Sequence, residues 1–193
     1  MPRRVPIVST VIVLLAVATM VGLGVWQLGR LGQKEALIAR YEQALVMSSN
    51  VAWPAPADYE ASLFRHAVVD CREVRSFNSV SGRSAKGQSG WSHVARCSRA
   101  EGGMADVAIG WSSDPTPPVW EGGEVGGIIA PYGQSVKLIV DRPQAGLQEL
   151  ARPDPSDLPN NHLAYAGQWF FFALTALVIY ILAVRRRWRT SGS

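Results

Sequence analysis

The chain has 193 residues, 48% of them hydrophobic, and a formal net charge of +4. Its basic excess is contained in one C-terminal cluster, Arg185, Arg186, Arg187 and Arg189, and the rest of the chain is formally neutral. A basic surface for nucleic acid is therefore excluded, because the positive charge is not spread over a domain. The length leaves room for one small domain between membrane spans.

The first predicted element is a membrane span over residues 5–26, which contains no charged residue. About 20 apolar residues suffice to cross a bilayer core of roughly 30 Å. The preceding Arg3 and Arg4, with Ala16-Val17-Ala18 further on, also fit a cleavable secretory signal. The apolar run continues well past Ala18, so we expect an uncleaved anchor after a short cytoplasmic segment, residues 1–4.

A domain outside the membrane is predicted over residues 27–161. It begins with a helical extension, residues 27–47, and continues as a β-rich region, residues 65–141. Gly-rich turns separate five short strands and predict antiparallel hairpins in a curled sheet or partly closed barrel. The strands are expected at 65–77, 91–97, 104–111, 124–131 and 135–141. The fold class is thus an α+β membrane protein in which two transmembrane helices flank a small antiparallel β-rich domain.

The two cysteines, Cys71 and Cys97, lie in the first two predicted strands at equal distances from residue 84, which falls in a turn-like stretch. If that turn is central, the two sulfurs face each other across the ladder. An oxidising compartment then favours a disulfide. A slip of one residue in the register would instead point them to opposite faces and leave two separate buried thiols.

A Pro-rich return, residues 142–161, leads to a second predicted span over residues 162–184 and a basic tail, residues 185–193. Arginine clusters next to a span mark its cytoplasmic side. Both termini are therefore expected in the cytoplasm and the β-rich domain in the periplasm of a bacterial inner-membrane protein.

Enzymatic motifs are not found. The sequence lacks a nucleophile elbow, a His-Glu-x-x-His helix and a Cys-x-x-Cys pair, and no catalytic residue is predicted. A periplasmic copper-handling protein stays open as an alternative, because Cys71, Cys97 and His93 could converge as soft ligands if the thiols are reduced.

The rim of the second span carries the best-supported chemistry. His162, Ala166, Trp169 and Ala173 follow each other at helical spacing, so two small residues leave a groove beside an aromatic wall, bordered by Tyr165. A matching stripe on the first helix lies at the same membrane face and consists of Leu23, Trp26, Gln27, Arg30 and Lys34. A haem suits such a place, with His162 on the iron and a basic side chain on the propionates. An ordinary aromatic belt and snorkelling cations explain the same residues without a cofactor.

Two segments resemble the surfeit locus protein 1 family of cytochrome c oxidase assembly proteins, as a divergent bacterial-type member. They are LGVWQLGRLGQK, residues 23–34, and NHLAYAGQWF, residues 161–170. The resemblance implies an assembly factor, not an enzyme, for a haem–copper terminal oxidase. It further implies binding of haem a and its delivery to the catalytic subunit of the oxidase, with the haem a synthesis machinery as a second partner.

Carried onto this sequence, the resemblance implies His162 as the ligand of the haem iron. The residues expected around it are Trp26, Arg30, Lys34, Tyr165 and Trp169. The main alternative is a scaffold in the lipid bilayer whose helices bind oxidase subunits and no cofactor.

Overall fold

A computed structural model describes residues 6–47 and 49–190. The chain forms two compact units. One contains α3 and the part of α1 up to Leu37, and the other comprises Ile38–Leu158. The predicted N-terminal segment, the first residue of the first span and the last three residues of the basic tail lie outside the described residues.

Two long helices dominate the first unit, α1 (Ile7–Leu45) and α3 (His162–Thr190); the short α2 (Tyr59–Ser62) belongs to the second. Both long helices are long and apolar enough to cross a membrane, with mean hydropathies of 2.4 and 2.0 in their spanning segments. α1 runs without interruption through Gly29 and Gly32. α3 continues through the arginine cluster that was predicted as a tail.

Five strands build the second unit, each overlapping one of the strands predicted from the turn pattern. They are β1 (His66–Arg83), β2 (Ser89–Arg99), β3 (Met104–Ser112), β4 (Gly123–Tyr132) and β5 (Ser135–Val140). β1 extends six residues beyond the predicted end at Phe77, because β2 begins earlier than predicted and pairs with it up to the turn.

The strands form a closed barrel in the order β1-β2-β3-β5-β4, with β4 pairing back onto β1. The sequence predicted an antiparallel curled sheet or partly closed barrel; the barrel is instead fully closed, and one of its strand pairs is parallel. β5 follows β4 in a tight hairpin but lies between β4 and β3, so it runs parallel to β3. Closure gives every strand of the barrel a neighbour on both sides.

Glycines in β4 allow this strand to lie between two close neighbours. A Cβ on Gly127 would stand 2.1 Å from the carbonyl oxygen of Ile139 in β5. A Cβ on Gly122, just before β4, would stand 2.3 Å from the carbonyl oxygen of Cys71 in β1. The Gly-rich run at the start of β4 is thus a place where backbones approach each other closely.

The barrel interior contains the Cys71–Cys97 disulfide, with the two Cα atoms 5.3 Å apart. The turn symmetry predicted that the two cysteines would be directly opposite each other in the ladder, and this is not the case. Cys71 pairs with Arg99, and Cys97 pairs with Val74. Register shifts after Cys71 and Val74 offset the ladder, while both cysteines stay buried on the inner face. The side chains around the disulfide are small and apolar, including Ala67, Val69 and Ala95.

The segment predicted as an extended return packs on one end of the barrel before it reaches α3. Gln148 exchanges backbone hydrogen bonds with Trp111, at 2.8 and 2.9 Å. Leu150 is buried with Val94, Ala108 and Trp111 in a second small core. This segment therefore covers the barrel end instead of merely connecting two elements.

Candidate functional site

The two long helices of the first unit pack as an antiparallel pair along one narrow seam. Three contacts fix their direction: Thr10 with Tyr180, Gly24 with Phe170, and Gln27 with His162. The less exposed positions of α1 recur at alternating steps of three and four residues, the spacing of left-handed coiled-coil packing. The less exposed positions that follow this spacing are Thr10, Val13, Val17, Met20, Gly24, Gln27, Leu31 and Lys34.

The seam on α3 is the stripe that the sequence singled out, His162, Ala166, Trp169 and Ala173. Ala166 is 1% exposed and Ala173 is 4% exposed. The sequence predicted an open groove at these small residues. The groove is not open, because Ala166 and Ala173 are covered in the helix pair. Gly24 on α1 is covered as well, since a Cβ there would stand 2.6 Å from the ring of Phe170.

His162 lies at the end of the seam, in the first turn of α3, where it contacts α1. Its Nδ1 is 2.8 Å from Oε1 of Gln27. A carboxamide oxygen only accepts hydrogen bonds, so Nδ1 donates this bond, and the neutral tautomer that can donate it has its lone pair on Nε2. A neutral imidazole with one nitrogen so engaged is the form in which histidine ligates metals.

Three of the predicted site residues lie beside the seam and are exposed: Trp26 at 57%, Tyr165 at 51%, and Arg30. Each directly precedes a seam position of its helix. In an antiparallel helix pair, the residues that come one position before a seam residue lie on the same side of the pair, whichever helix they belong to. The three side chains therefore share one flank. We call Trp26, Arg30 and Tyr165 the aromatic flank.

The other two predicted residues, Lys34 and Trp169, are seam positions themselves and are half-buried. The Trp169 ring makes an edge-on contact with the ring of Phe172, with 6.3 Å between centroids. Arg30 donates from Nη1 to Oε1 of Gln33 at 2.8 Å, within its own helix. Thus all six predicted residues lie at one end of the helix pair, on the seam or on the aromatic flank.

Gln27 was predicted to lie in the stripe on the first helix but was not among the predicted site residues, although it belongs to the first family-like segment. Its significance comes from the contact with His162, 135 positions further along the chain. No local pattern indicates that contact; the step of four residues between Leu23 and Gln27 shows only that they share a face.

The ligand set of the copper alternative is not available in the barrel, because Cys71 and Cys97 are joined in a disulfide. His93, the third candidate, is fully buried: its Nδ1 is 2.9 Å from the Ser79 hydroxyl and its Nε2 is 2.8 Å from the Ser112 hydroxyl. Within residues 6–47 and 49–190, no group of three or more His, Cys, Asp or Glu side chains could hold a metal ion.

Burial lowers the pKa of His93 from its ordinary value, against an opposing effect of Asp114. The hydroxyl of Ser112 donates to the carbonyl of Asp114 at 2.6 Å, so it accepts from Nε2 of His93, and Nδ1 accepts from Ser79. The barrel thus contains a neutral, fully satisfied histidine whose role is structural.

A second histidine, His66, ties the chain that follows α1 to the barrel. Its Nδ1 is 2.8 Å from Oδ1 of Asn50, and its Nε2 is 2.5 Å from Oδ2 of Asp141. Its acidic partner, Asp141, directly follows β5. This cluster connects three segments of one unit and includes none of the predicted site residues.

A cavity of about 320 Å³ at the side of the barrel contains two basic side chains, Arg96 and Arg99, and one acidic side chain, Asp106. Arg96 is the ladder partner of Asp106. Burial raises the pKa of Asp106, and the charge of Arg96 opposes that rise. Arg96 offsets the charge of Asp106, and Arg99 pairs with Glu101 at 3.5 Å, so the cavity does not single out one class of ligand.

The model of the SURF1 family matches residues 14–174, most of α1, the whole barrel and the first turns of α3. No curated protein sequence matches the chain. The family match covers both halves of the helix pair where His162 and Gln27 meet.

Proposed function

This chain belongs to the SURF1 family, which is linked to cytochrome oxidase assembly, and we propose that it receives haem a at His162 and aids its delivery to the catalytic subunit of a haem–copper oxidase. Two apolar helices and the family together make it a membrane protein of oxidase assembly. The identity of the cargo, its site and the transfer step are the proposal.

The single observation that carries the proposal is the hydrogen bond from Nδ1 of His162 to Gln27, which leaves Nε2 with its lone pair. The donor set around it fits a haem. The ring would lie against the exposed aromatic side chains of the aromatic flank, and Arg30 and Lys34 carry the charge that suits its propionates. Haem supplies an iron that binds one imidazole reversibly. A single histidine ligand suits a cargo that must leave again.

The disulfide and the arginine cluster support the proposed placement in a bacterial inner membrane, with both termini cytoplasmic and the barrel periplasmic. Disulfides persist in oxidising compartments, and arginines after a span favour the cytoplasm. Reporter fusions after Ser193 should be cytoplasmic and fusions at Gln88 periplasmic. A cytoplasmic reporter at Gln88 would reverse this orientation.

The test of the haem proposal is the haem a content of protein purified from cells that make haem a, measured by its Soret absorbance. We expect His162→Ala to lose most of the haem, because the iron loses its ligand. The variant should still insert, since the apolar run of α3 is unchanged. Trp188→Ala is the matched aromatic control, about 28 Å further along α3 from Trp169, and should bind as wild type does.

Arg30→Ala should weaken haem binding by about 1–3 kcal/mol if Arg30 makes a charge-assisted hydrogen bond to a propionate. If His162→Ala copurifies with as much haem as wild type, the ligand assignment is wrong. The helix pair is then better described as a scaffold for oxidase subunits without a cofactor.

A further inference from the structure

We propose that Gln27 is the positioning residue of His162: its carboxamide fixes which ring nitrogen faces the ligand and keeps the ligation weak enough to be exchanged. This inference rests on the proposed function and deepens it, because it concerns how the same site holds and releases its cargo.

The geometry defines the role of each atom. Oε1 of Gln27 is 2.8 Å from Nδ1 of His162, so the ring donates through Nδ1 and its basic nitrogen is Nε2. A free imidazole places its proton on either nitrogen. The bond to Gln27 selects one tautomer and orients the ring before any ligand arrives.

The seam determines that Gln27 reaches His162. Gln27 lies one turn from Gly24, and His162 lies one turn from Ala166, so small residues flank the bond on both helices. Gly24 and Ala166 are buried, and the ring of Phe170 is in close contact with Gly24. The bond therefore lies next to the level at which the Phe170 side chain of α3 packs on Gly24 of α1.

A neutral amide and a carboxylate would have different effects on the ring. A histidine that ligates a metal usually donates its other N–H to an acceptor, and the acceptor raises the basicity of the ligating nitrogen. A carboxylate does this more strongly, because a hydrogen bond to an ionised acceptor is roughly twice as strong as a neutral one. Glutamine at this position thus orients the imidazole without making it a strongly retaining ligand.

The alternative is that Gln27 merely ties the two helices together. Gln27→Glu separates the two roles, since glutamate still accepts a hydrogen bond of similar length but carries charge. A helix tie predicts the same haem properties for Glu as for Gln. A positioning role predicts slower release of haem and a lower reduction potential for Gln27→Glu.

The experiment uses full-length protein in detergent, loaded with haem a. Three quantities are measured: affinity by Soret absorbance, the rate of haem transfer to excess apomyoglobin, and the reduction potential. Gln27→Ala should lower the affinity by about 10–100-fold, the usual effect of removing such a partner. Gln27→Glu should slow transfer and lower the potential. Gln43→Ala, an exposed glutamine further along α1, is the matched control and should behave as wild type.

A measurement without haem keeps this inference separate from the proposed function. Nitrogen NMR of the haem-free protein should show the His162 proton on Nδ1 in wild type and a mixture of tautomers in Gln27→Ala. If the tautomer is fixed as described but His162→Ala keeps its haem, the proposed function fails and the geometry stands. If Gln27→Glu transfers haem at the wild-type rate and potential, or if the tautomer does not depend on Gln27, the positioning role is overturned.

Discussion

The barrel and the helix pair bury their side chains in opposite ways. In the barrel, residues such as Val107, Ile109 and Leu138 are fully buried inside a closed sheet, and the buried His93 has a partner at each ring nitrogen. In the helix pair, the buried residues are small, Gly24, Ala166 and Ala173, while large apolar side chains such as Leu15 and Phe171 face outward.

This difference follows from the surroundings of the two regions, which are water for the barrel and lipid for the helix pair. A barrel in water must place its apolar side chains inside, whereas helices in lipid gain nothing by hiding them and associate through close packing of small residues. The same contrast distinguishes a histidine that stabilises the fold from a histidine that is available to a ligand. In the barrel, the buried His93 has a partner at both ring nitrogens. His162 has one engaged and one basic nitrogen at the rim of a span, where ionisable residues mark functional sites.

The largest expected effect that separates the two regions comes from removing the disulfide. The double variant Cys71→Ala, Cys97→Ala removes a disulfide that joins two residues 26 positions apart in the sequence. Loop-entropy estimates predict a loss of about 3 kcal/mol in the free energy of unfolding, measured by urea denaturation of the full-length protein. Haem content should stay at the wild-type level. An unchanged unfolding midpoint, or an equal loss of haem, would contradict the division of roles.

An intermediate effect is expected in the helix pair from Gly24→Leu. A Cβ at this position already meets the Phe170 ring, so the larger side chain forces the helices apart. Overpacking of this kind destabilises by about 1–3 kcal/mol. We expect lower haem content, because Gln27 then reaches His162 less well, and no change in the urea unfolding of the barrel.

Gly22→Leu is the matched control, because nothing lies within 4 Å of a Cβ at Gly22. It should bind haem as wild type does. Adding Phe170→Ala to Gly24→Leu vacates the space of the ring and should restore part of the haem content. Equal losses for the two glycine variants would mean that the seam is not where the helices meet.

The smallest effect is a pH dependence confined to the barrel. Burial lowers the pKa of His93 from its ordinary value of 6.5, so the folded state favours the neutral ring. The unfolded chain therefore binds the proton more readily. The contribution of His93 to stability is complete above pH 6.5 and is lost as the pH falls toward the lowered pKa. Unfolding of His93→Gln should depend less steeply on pH over this range than unfolding of wild type. Parallel pH profiles would show that His93 is not the group responsible.

Local patterns were sufficient for much of the architecture. Runs of apolar residues predicted the two long helices, and Gly-rich turns located all five strands, because length, hydropathy and turn chemistry are properties of neighbouring residues. The stripe from His162 to Ala173 was also visible in the sequence. The sequence did not show that this stripe is a helix contact, because small residues at helical spacing fit an open groove equally well.

The sequence by itself determined the elements, the family and the residues that gather at the rim of the second span. Only the tertiary structure decided which strand edges meet, so the parallel pairing of β3 with β5 and the closure onto β1 could not be predicted. It also decided that register shifts offset the ladder at Cys71, and that Asp141 is the partner of His66. The contact of Gln27 with His162 is of the same kind. Each depends on segments far apart in the chain, and the choice among possible partners is made by packing, which no local periodicity encodes.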